Sequence, residues 1–236
     1  MKTLRASVLL LGIVAVAVLR AAGADPATPP RSLAPYFIPA TPAPKAPDQD
    51  GFIQRWLILE PINKPLRGNA GFVDSYVRTE LTREYFPGQF TMMPRDGETV
   101  TAEGEQLAWH AVDATNFNVK LFRFAYGLNK RVYGVIFCAV TVIDCPREIP
   151  NVRMAVGSNS ASMWWLNGEE AVALTGDRRM VMDDCVSRRL TLKKGRNVIR
   201  GLVINGPGMS DFCLRFVDAN GDPVRDFVTD LQPSGK

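Results

Sequence analysis

The chain has 236 residues, 46% of them hydrophobic, with 28 Lys and Arg against 24 Asp and Glu for a formal charge of +4. That is enough length and apolar content for one domain with a sizeable core. Three of the cations, Lys2, Arg5 and Arg20, fall in the first 24 residues. Without those residues the charge is +1, which gives little support for a nucleic-acid partner or an anionic membrane surface, and no nucleic acid is expected.

Residues 1–24 read as a secretory signal peptide. Lys2 and Arg5 precede an apolar run from Val8 to Leu19, and Ala22-Gly23-Ala24 supplies the small residues of a cleavage point. The run is shorter than the ~20 helical residues that cross a bilayer, so no stable membrane insertion is expected. The chain is read as exported, to the periplasm or the cell exterior. Eight prolines lie between Pro26 and Pro47, and residues 25–50 read as a disordered Pro/Ala-rich spacer, extended in the polyproline manner, or as a plain disordered N-terminal tail. Residues 51–232 are one domain's worth of chain, and 233–236 a disordered tail.

Trp56-Leu57-Ile58-Leu59 is a short strand stopped by Pro61. Val73, Val77, Leu81 and Tyr85 recur every four residues and predict a helix over about 74–86, ended by Pro87-Gly88. Strand and turn follow almost everywhere after it. Val119–Ala125 alternates, Val132–Ile143 is a long β-branched and aromatic run, and further strands are expected at 153–156, 179–182, 186–192, 198–204, 211–217 and 224–228. Asn167-Gly168 is a strong hairpin signal, because a type I′ turn needs positive φ at both central residues. Lys194-Gly195 and Asn220-Gly221 mark further tight turns. The pattern predicts an all-β fold, a two-sheet antiparallel β-sandwich with a single short helix.

Four cysteines, Cys138, Cys145, Cys185 and Cys213, sit in an exported chain, so disulfides are expected. Three pairings are possible, and Cys138–Cys145 with Cys185–Cys213 is preferred. A single histidine and the lack of a Cys-x-x-Cys spacing argue against zinc, and no cofactor is expected.

Seven segments occur in a familiar order: Trp56-Leu57-Ile58-Leu59-Glu60-Pro61, Leu107-Ala108-Trp109, Phe137-Cys138-Ala139, Gly157-Ser158-Asn159, Trp165-Leu166-Asn167-Gly168, Leu192 to Asn197, and Phe212-Cys213-Leu214-Arg215-Phe216. Together they resemble the galactose-binding-like jelly-roll modules that accompany secreted bacterial polysaccharide-degrading enzymes. The resemblance runs from Trp56 to Val224 and implies a two-sheet jelly roll with its functional surface on end loops or on one sheet face. In many relatives, and in the distantly similar protective-antigen-type lectin domains, acidic residues before the Trp-Leu-Asn-Gly strand help to hold calcium. Here those positions read Asn159, Ser160 and Ala161, which offer no carboxylate, so no metal is expected there.

Trp164 and Trp165 are adjacent in a strand and must leave opposite faces. The resemblance assigns Trp165 to the family position, so Trp164 is expected at a surface, where an indole can stack on a sugar ring. Asn159, Asp183 and Asp184 are expected to line the same end of the sandwich as ligand contacts. No catalytic residue is assigned. His110 has no Ser-His-Asp partners in the sequence, and the adjacent acids Glu169-Glu170 and Asp183-Asp184 point apart, unlike a glycosidase dyad. The reading is a non-catalytic, exported carbohydrate-binding accessory module whose partner is a polysaccharide or glycan. The alternatives are a structural or assembly protein that binds another exported protein, and a small carbohydrate esterase or other hydrolase.

Overall fold

Long apolar runs that do not alternate with polar residues belong to strands covered on both faces, and the two longest strands here are of that kind. A computed structural model describes residues 31–64 and 68–231. The strands are β1 (Phe37–Pro39), β2 (Arg55–Leu59), β3 (Ile62–Asn63), β4 (Thr99–Ala102), β5 (Glu105–Ala114), β6 (Val135–Cys145), β7 (Ile149–Ser158), β8 (Ala161–Leu166), β9 (Glu169–Leu174), β10 (Cys185–Val186), β11 (Leu190–Leu192), β12 (Gly195–Asn205), β13 (Phe212–Val217) and β14 (Val228–Thr229). Two short helices join them, α1 (Asp74–Leu81) and α2 (Leu121–Gly127). The protein is all-β, with two antiparallel sheets.

The main sheet runs β1-β5-β2-β6-β12-β8-β9, with β3 and β14 added to β6 and β4 to β5; the smaller sheet places β10 and β11 on one edge of β7 and β13 on the other. β12 pairs with β6 in unbroken register from Gly195↔Cys145 to Asn205↔Val135. Alternate side chains of these strands enter two cores. Trp56, Phe137, Ala139, Trp164 and Val203 face the smaller sheet's Met154, Val156, Phe212 and Leu214. Leu57, Leu59, Cys138, Val140, Met163, Trp165 and Leu202 face the other way, under Val77 and Leu81 of α1 and the aromatic residues Tyr85 and Phe86.

The Asn167-Gly168 turn is as expected: φ is +52° and +87° at the two residues, and β8 and β9 flank them directly. Gly195 also takes positive φ, +80°, but the turn before it joins β11 of the smaller sheet to β12 of the main sheet rather than closing a hairpin. The expected strand over 179–182 is irregular chain, and 186–192 is split into β10 and β11.

Helix α1 ends at Leu81, short of the expected Phe86. Gln89 takes over from the backbone ladder there: its Oε1 accepts from Tyr85 N–H at 2.9 Å, and its Nε2 donates to Arg83 O at 3.1 Å. The second helix was not expected at all. Val119–Ala125 alternates at its start, but Leu121, Phe124, Ala125 and Leu128 stand at helical spacing, and the first three are fully buried.

The spacer expected over 25–50 also differs where it is described. Phe37 is buried, with its ring 6.0 Å from Phe124, and Phe37–Pro39 pairs with Val112–Ala114 of β5. Arg55 donates to Ala43 O and, at 3.2 Å, to Thr41 Oγ1, while Lys45 bridges to Thr229. A proline-rich chain has few backbone donors, yet Phe37, with Leu33 and Tyr36 packed beside it, and one arginine fork hold it as a strap. The signal peptide and the 233–236 tail lie outside the described residues.

The disulfide expectation is overturned: all four cysteines are free thiols. Cys138 and Cys145 share β6, seven residues and ~23 Å apart along the strand, and they face different cores. Cys185 pairs across from Val156 and Cys213 across from Gly157, on opposite edges of β7. Two inter-strand spacings, ~9.5 Å, exceed the ~7 Å Cα limit for a disulfide. Burial pushes the Cys138 and Cys213 thiols up to about 12 and that of Cys145 to about 11, so none of the three is a reactive thiolate at neutral pH. Thermal melts with and without reductant are expected to coincide. A reductant-dependent loss of stability of ~2 kcal/mol or more would restore a crosslink.

Candidate functional site

The four residues singled out in the sequence do not form one site. Trp164 has no exposed surface. Its ring lies 4.7 Å from Phe212 and 5.9 Å from Trp56, its Nε1 donates to Ser162 Oγ at 3.0 Å, and it rests on Gly201, where a Cβ would lie 2.1 Å away. Trp164 and Trp165 leave opposite faces of the main sheet, as expected, but both faces are covered. The inner face takes Trp164.

Asp183 and Asp184 are each neutralised by an arginine. Asp183, at φ +53°, accepts from Arg215 Nε at 3.0 and 3.1 Å, and Asp184 accepts from Arg178 Nε at 2.8 Å. Asn159, just after β7, donates its N–H to Asp211 O at 3.0 Å, and Asp211 lies four residues, ~13 Å, along the chain of β13 from Arg215. The Asn159 Oδ1 is buried without a hydrogen-bond partner. Burial pushes the neighbouring Asp211 carboxyl above the usual carboxylate range, against the pull of Lys120 Nζ at 2.8 Å.

His110 packs its ring 5.6 Å from Phe124 and points Nε2 at Glu60 Oε1, 3.5 Å away. That is longer than a made hydrogen bond. Burial raises the Glu60 carboxyl, but Lys130 at 2.9 Å, the Ala108 N–H and His110 outweigh it and hold it below its ordinary value. Among the described residues no hydroxyl or thiol hydrogen-bonds to His110, and no group of three or more His, Cys, Asp or Glu side chains could hold a metal.

Trp165 is the residue that reaches a surface cleft. It lies on the outer face of β8, directly across from Arg200 of β12. The cleft beside it has a volume of about 320 Å³ and is lined by Thr82, Phe90, Thr91, Trp165, Gly168 and Arg200. The Phe90 ring meets Trp165 edge-on, at 5.5 Å and 65°. The wall that carries Phe90 is stiff. Gly88 O accepts from Thr91 N–H at 2.9 Å and Met92 N–H at 2.8 Å, Glu84 accepts from Gly88 N–H at 2.7 Å, and Gln89 is buried at its centre. The other wall is the β8–β9 turn, tied to α1 through Arg78, which bonds Glu170 at 2.8 and 3.0 Å and Asp74 at 3.1 Å.

Arg200 forms the floor. It is 6% exposed, its Nη2 donates to Met92 O, and its Nη1 is buried without a partner. Arg200 is not among the residues singled out in the sequence, although a charge within the apolar run Val198–Ile204 is a signal that could have found it. Phe90 carried no comparable signal, because the Gln89-centred loop that aims it has no repeating pattern.

A second cleft, about 350 Å³, lies across the same turn and is lined by Asn151, Asn167, Glu169, Arg188, Thr191 and Lys193 among others, with no aromatic ring. It suits solvent-facing ion pairs such as Arg188–Glu169 at 2.8 Å.

Fold and cleft together define an antiparallel β-sandwich with an aromatic-walled groove on the outer face of its larger sheet. No family model and no curated protein matches the chain. Among solved structures it is similar to a PA14 sugar-binding domain from an RTX adhesin, at TM-score 0.42 and 10% identity over 74% of this chain and 96% of that one. The PA14 domain of the antifreeze protein MpAFP gives TM-score 0.42 and 10% identity over 82% and 95%. A β-glucosidase from Kluyveromyces marxianus gives 0.34 and 19%, over 69% of this chain and 14% of that one. Among the described residues no helix is long and apolar enough to cross a membrane.

Proposed function

We propose that this chain is an exported, non-catalytic carbohydrate-binding module of the galactose-binding-like kind its sequence resembles, and that it holds a sugar in the cleft over Trp165. The observation that carries this reading is the make-up of that cleft. Two aromatic rings, Trp165 and Phe90, meet two threonine side chains, Thr82 and Thr91, and one guanidinium around a single opening. A sugar presents apolar C–H faces and a rim of hydroxyls. It is matched by aromatic surface with a few well-placed polar groups, which is the usual composition of a small-ligand site.

Phe90→Ala tests the reading with little risk to the core, because Phe90 is only half-buried on a loop held by its own backbone. Affinity for a retained polysaccharide is expected to fall about tenfold, ~1.4 kcal/mol, with an unchanged circular dichroism spectrum. Trp165→Phe is expected to act in the same direction. Failure of the intact protein to bind anything on a broad glycan panel overturns the proposal.

A second reading, an assembly protein that docks on another exported protein, is favoured by a different feature. Phe122 stacks on Tyr126 and tilts against Tyr133, and the two tyrosines are 41% and 53% exposed. Grouped exposed aromatics are typical anchors of protein interfaces. A co-purifying partner supports this alternative, and a monodisperse monomer with glycan affinity counts against it.

A further inference from the structure

The floor of the cleft carries a charge that the protein itself leaves unbalanced. Arg200 is buried, and an arginine stays protonated throughout the physiological range even where burial lowers its pKa, as it does here. Its contacts are a carbonyl, Met92 O, and the thioether Met93 Sδ at 3.9 Å. The titratable group on the neighbouring strand is Cys138, whose thiol is pushed up to about 12 by burial and so is neutral.

The carboxylates around the opening are committed elsewhere. Glu169 binds Arg188 at 2.8 Å, Glu170 binds Arg78 at 2.8 Å, Glu80 binds Lys64 at 2.6 Å, and Glu84 accepts from Gly88 N–H at 2.7 Å. Among the described residues, no carboxylate pairs with Arg200. A buried cation without a counter-ion is costly to a fold. Yet Arg200 lines the cleft, with Nη1 unbonded. An anion entering there would gain a charge-assisted hydrogen bond in a setting of low dielectric.

We propose that the cleft takes a glycan through an anionic substituent on the sugar ring, with Arg200 as its counter-ion and Trp165 and Phe90 as the wall against the ring. This rests on the reading of the cleft as a carbohydrate site. A uronosyl carboxylate and a sulfate ester offer the same acceptor oxygens to the guanidinium, and apolar walls that exclude water strengthen either contact. The neutral hydroxyls of the same sugar are left to Thr82 and Thr91.

The test is calorimetric titration of the protein with three oligosaccharides of matched length: a galacturonan, a sulfated galactan and a neutral galactan. At least one anionic ligand is expected to bind tenfold or more tighter than the neutral one, and which of the two does so identifies the substituent. That advantage is expected to shrink severalfold between 50 and 500 mM salt. Arg200→Gln is expected to abolish it, bringing the ratio of anionic to neutral affinity close to one. Arg200→Lys keeps the charge but loses the planar fork, and is expected to retain part of the advantage; it stands in if the glutamine variant does not fold. Equal affinity for all three ligands, insensitive to salt and to both substitutions, overturns the inference and leaves the carbohydrate reading intact. No binding of any of the three by a protein that retains another glycan on the broad panel overturns the inference alone, and no binding on the panel either overturns both.

Discussion

Trp164→Ala is expected to lower unfolding stability by about 3–5 kcal/mol, read as a shift of the urea midpoint at constant slope. The indole is fully buried where the two sheets meet, against Phe212 of the smaller sheet and Trp56 of the main one. The cavity it leaves has little way to close. Its floor is Gly201, a backbone position with no side chain to swing in, and the adjoining rings are held in their own packing. The substitution is also expected to leave glycan affinity unchanged under conditions where the variant is folded, because Trp164 faces the inner core and the cleft is on the outer face. Stability within ~1 kcal/mol of wild type would mean that the indole does not sit at this interface.

Asp113→Ala is expected to cost a comparable amount, about 3–5 kcal/mol. Asp113 accepts from Arg55 Nε at 2.8 Å and Nη2 at 2.9 Å, with side-chain exposures of 3% for Arg55 and 6% for Asp113. Lys45 Nζ lies 3.7 Å from the same carboxylate. Removal of the aspartate therefore strands a buried guanidinium and weakens the grip on the 41–45 segment, which Arg55 and Lys45 share. Limited proteolysis is expected to show faster cleavage within 31–50 alongside the stability loss. Arg55→Leu with Asp113→Leu removes both charges and is expected to recover much of the stability but not the protection of the strap. Loss of both to the same extent in the double variant would show that the pair contributes more than mutual neutralisation.

Local chemistry made some of this fold readable from residue order alone. The Asn167-Gly168 turn depends on two residues that tolerate positive φ, and β6 and β12 announce themselves as apolar runs too long and too uniform for a half-solvated sheet. Other features depend on partners distant in sequence. Trp164 and Trp165 could be assigned to opposite faces, but only the covering of the main sheet by α1 and the Gln89 loop decides which indole meets the cleft. The cysteines failed for the same reason. Their spacing suggests neighbours, whereas strand pairing sets two of them on opposite edges of β7 and two along one strand. The 31–50 segment looks like a spacer because prolines dominate it, and Phe37 gains its meaning from a socket on α2, itself hidden behind a short alternating stretch. Arg200 is a charge in an apolar run, a signal present in the residue order but passed over there. That its neighbouring acids are already engaged follows only from the assembled ion pairs.

The strap has a consequence for the solubility of the protein. β5 is a ten-residue strand, and its outer edge is covered by β4 at one end and by Phe37–Pro39 at the other. The covering strand is three residues long and finishes in a proline, which has no N–H to offer. An open apolar edge invites strand addition by another copy, and short edge strands that end in proline are a common protection against it. The segment that looks most dispensable in the chain thus covers the end of β5 that β4 leaves open, and a protein trimmed to begin at the first long strand would present that end of the edge bare.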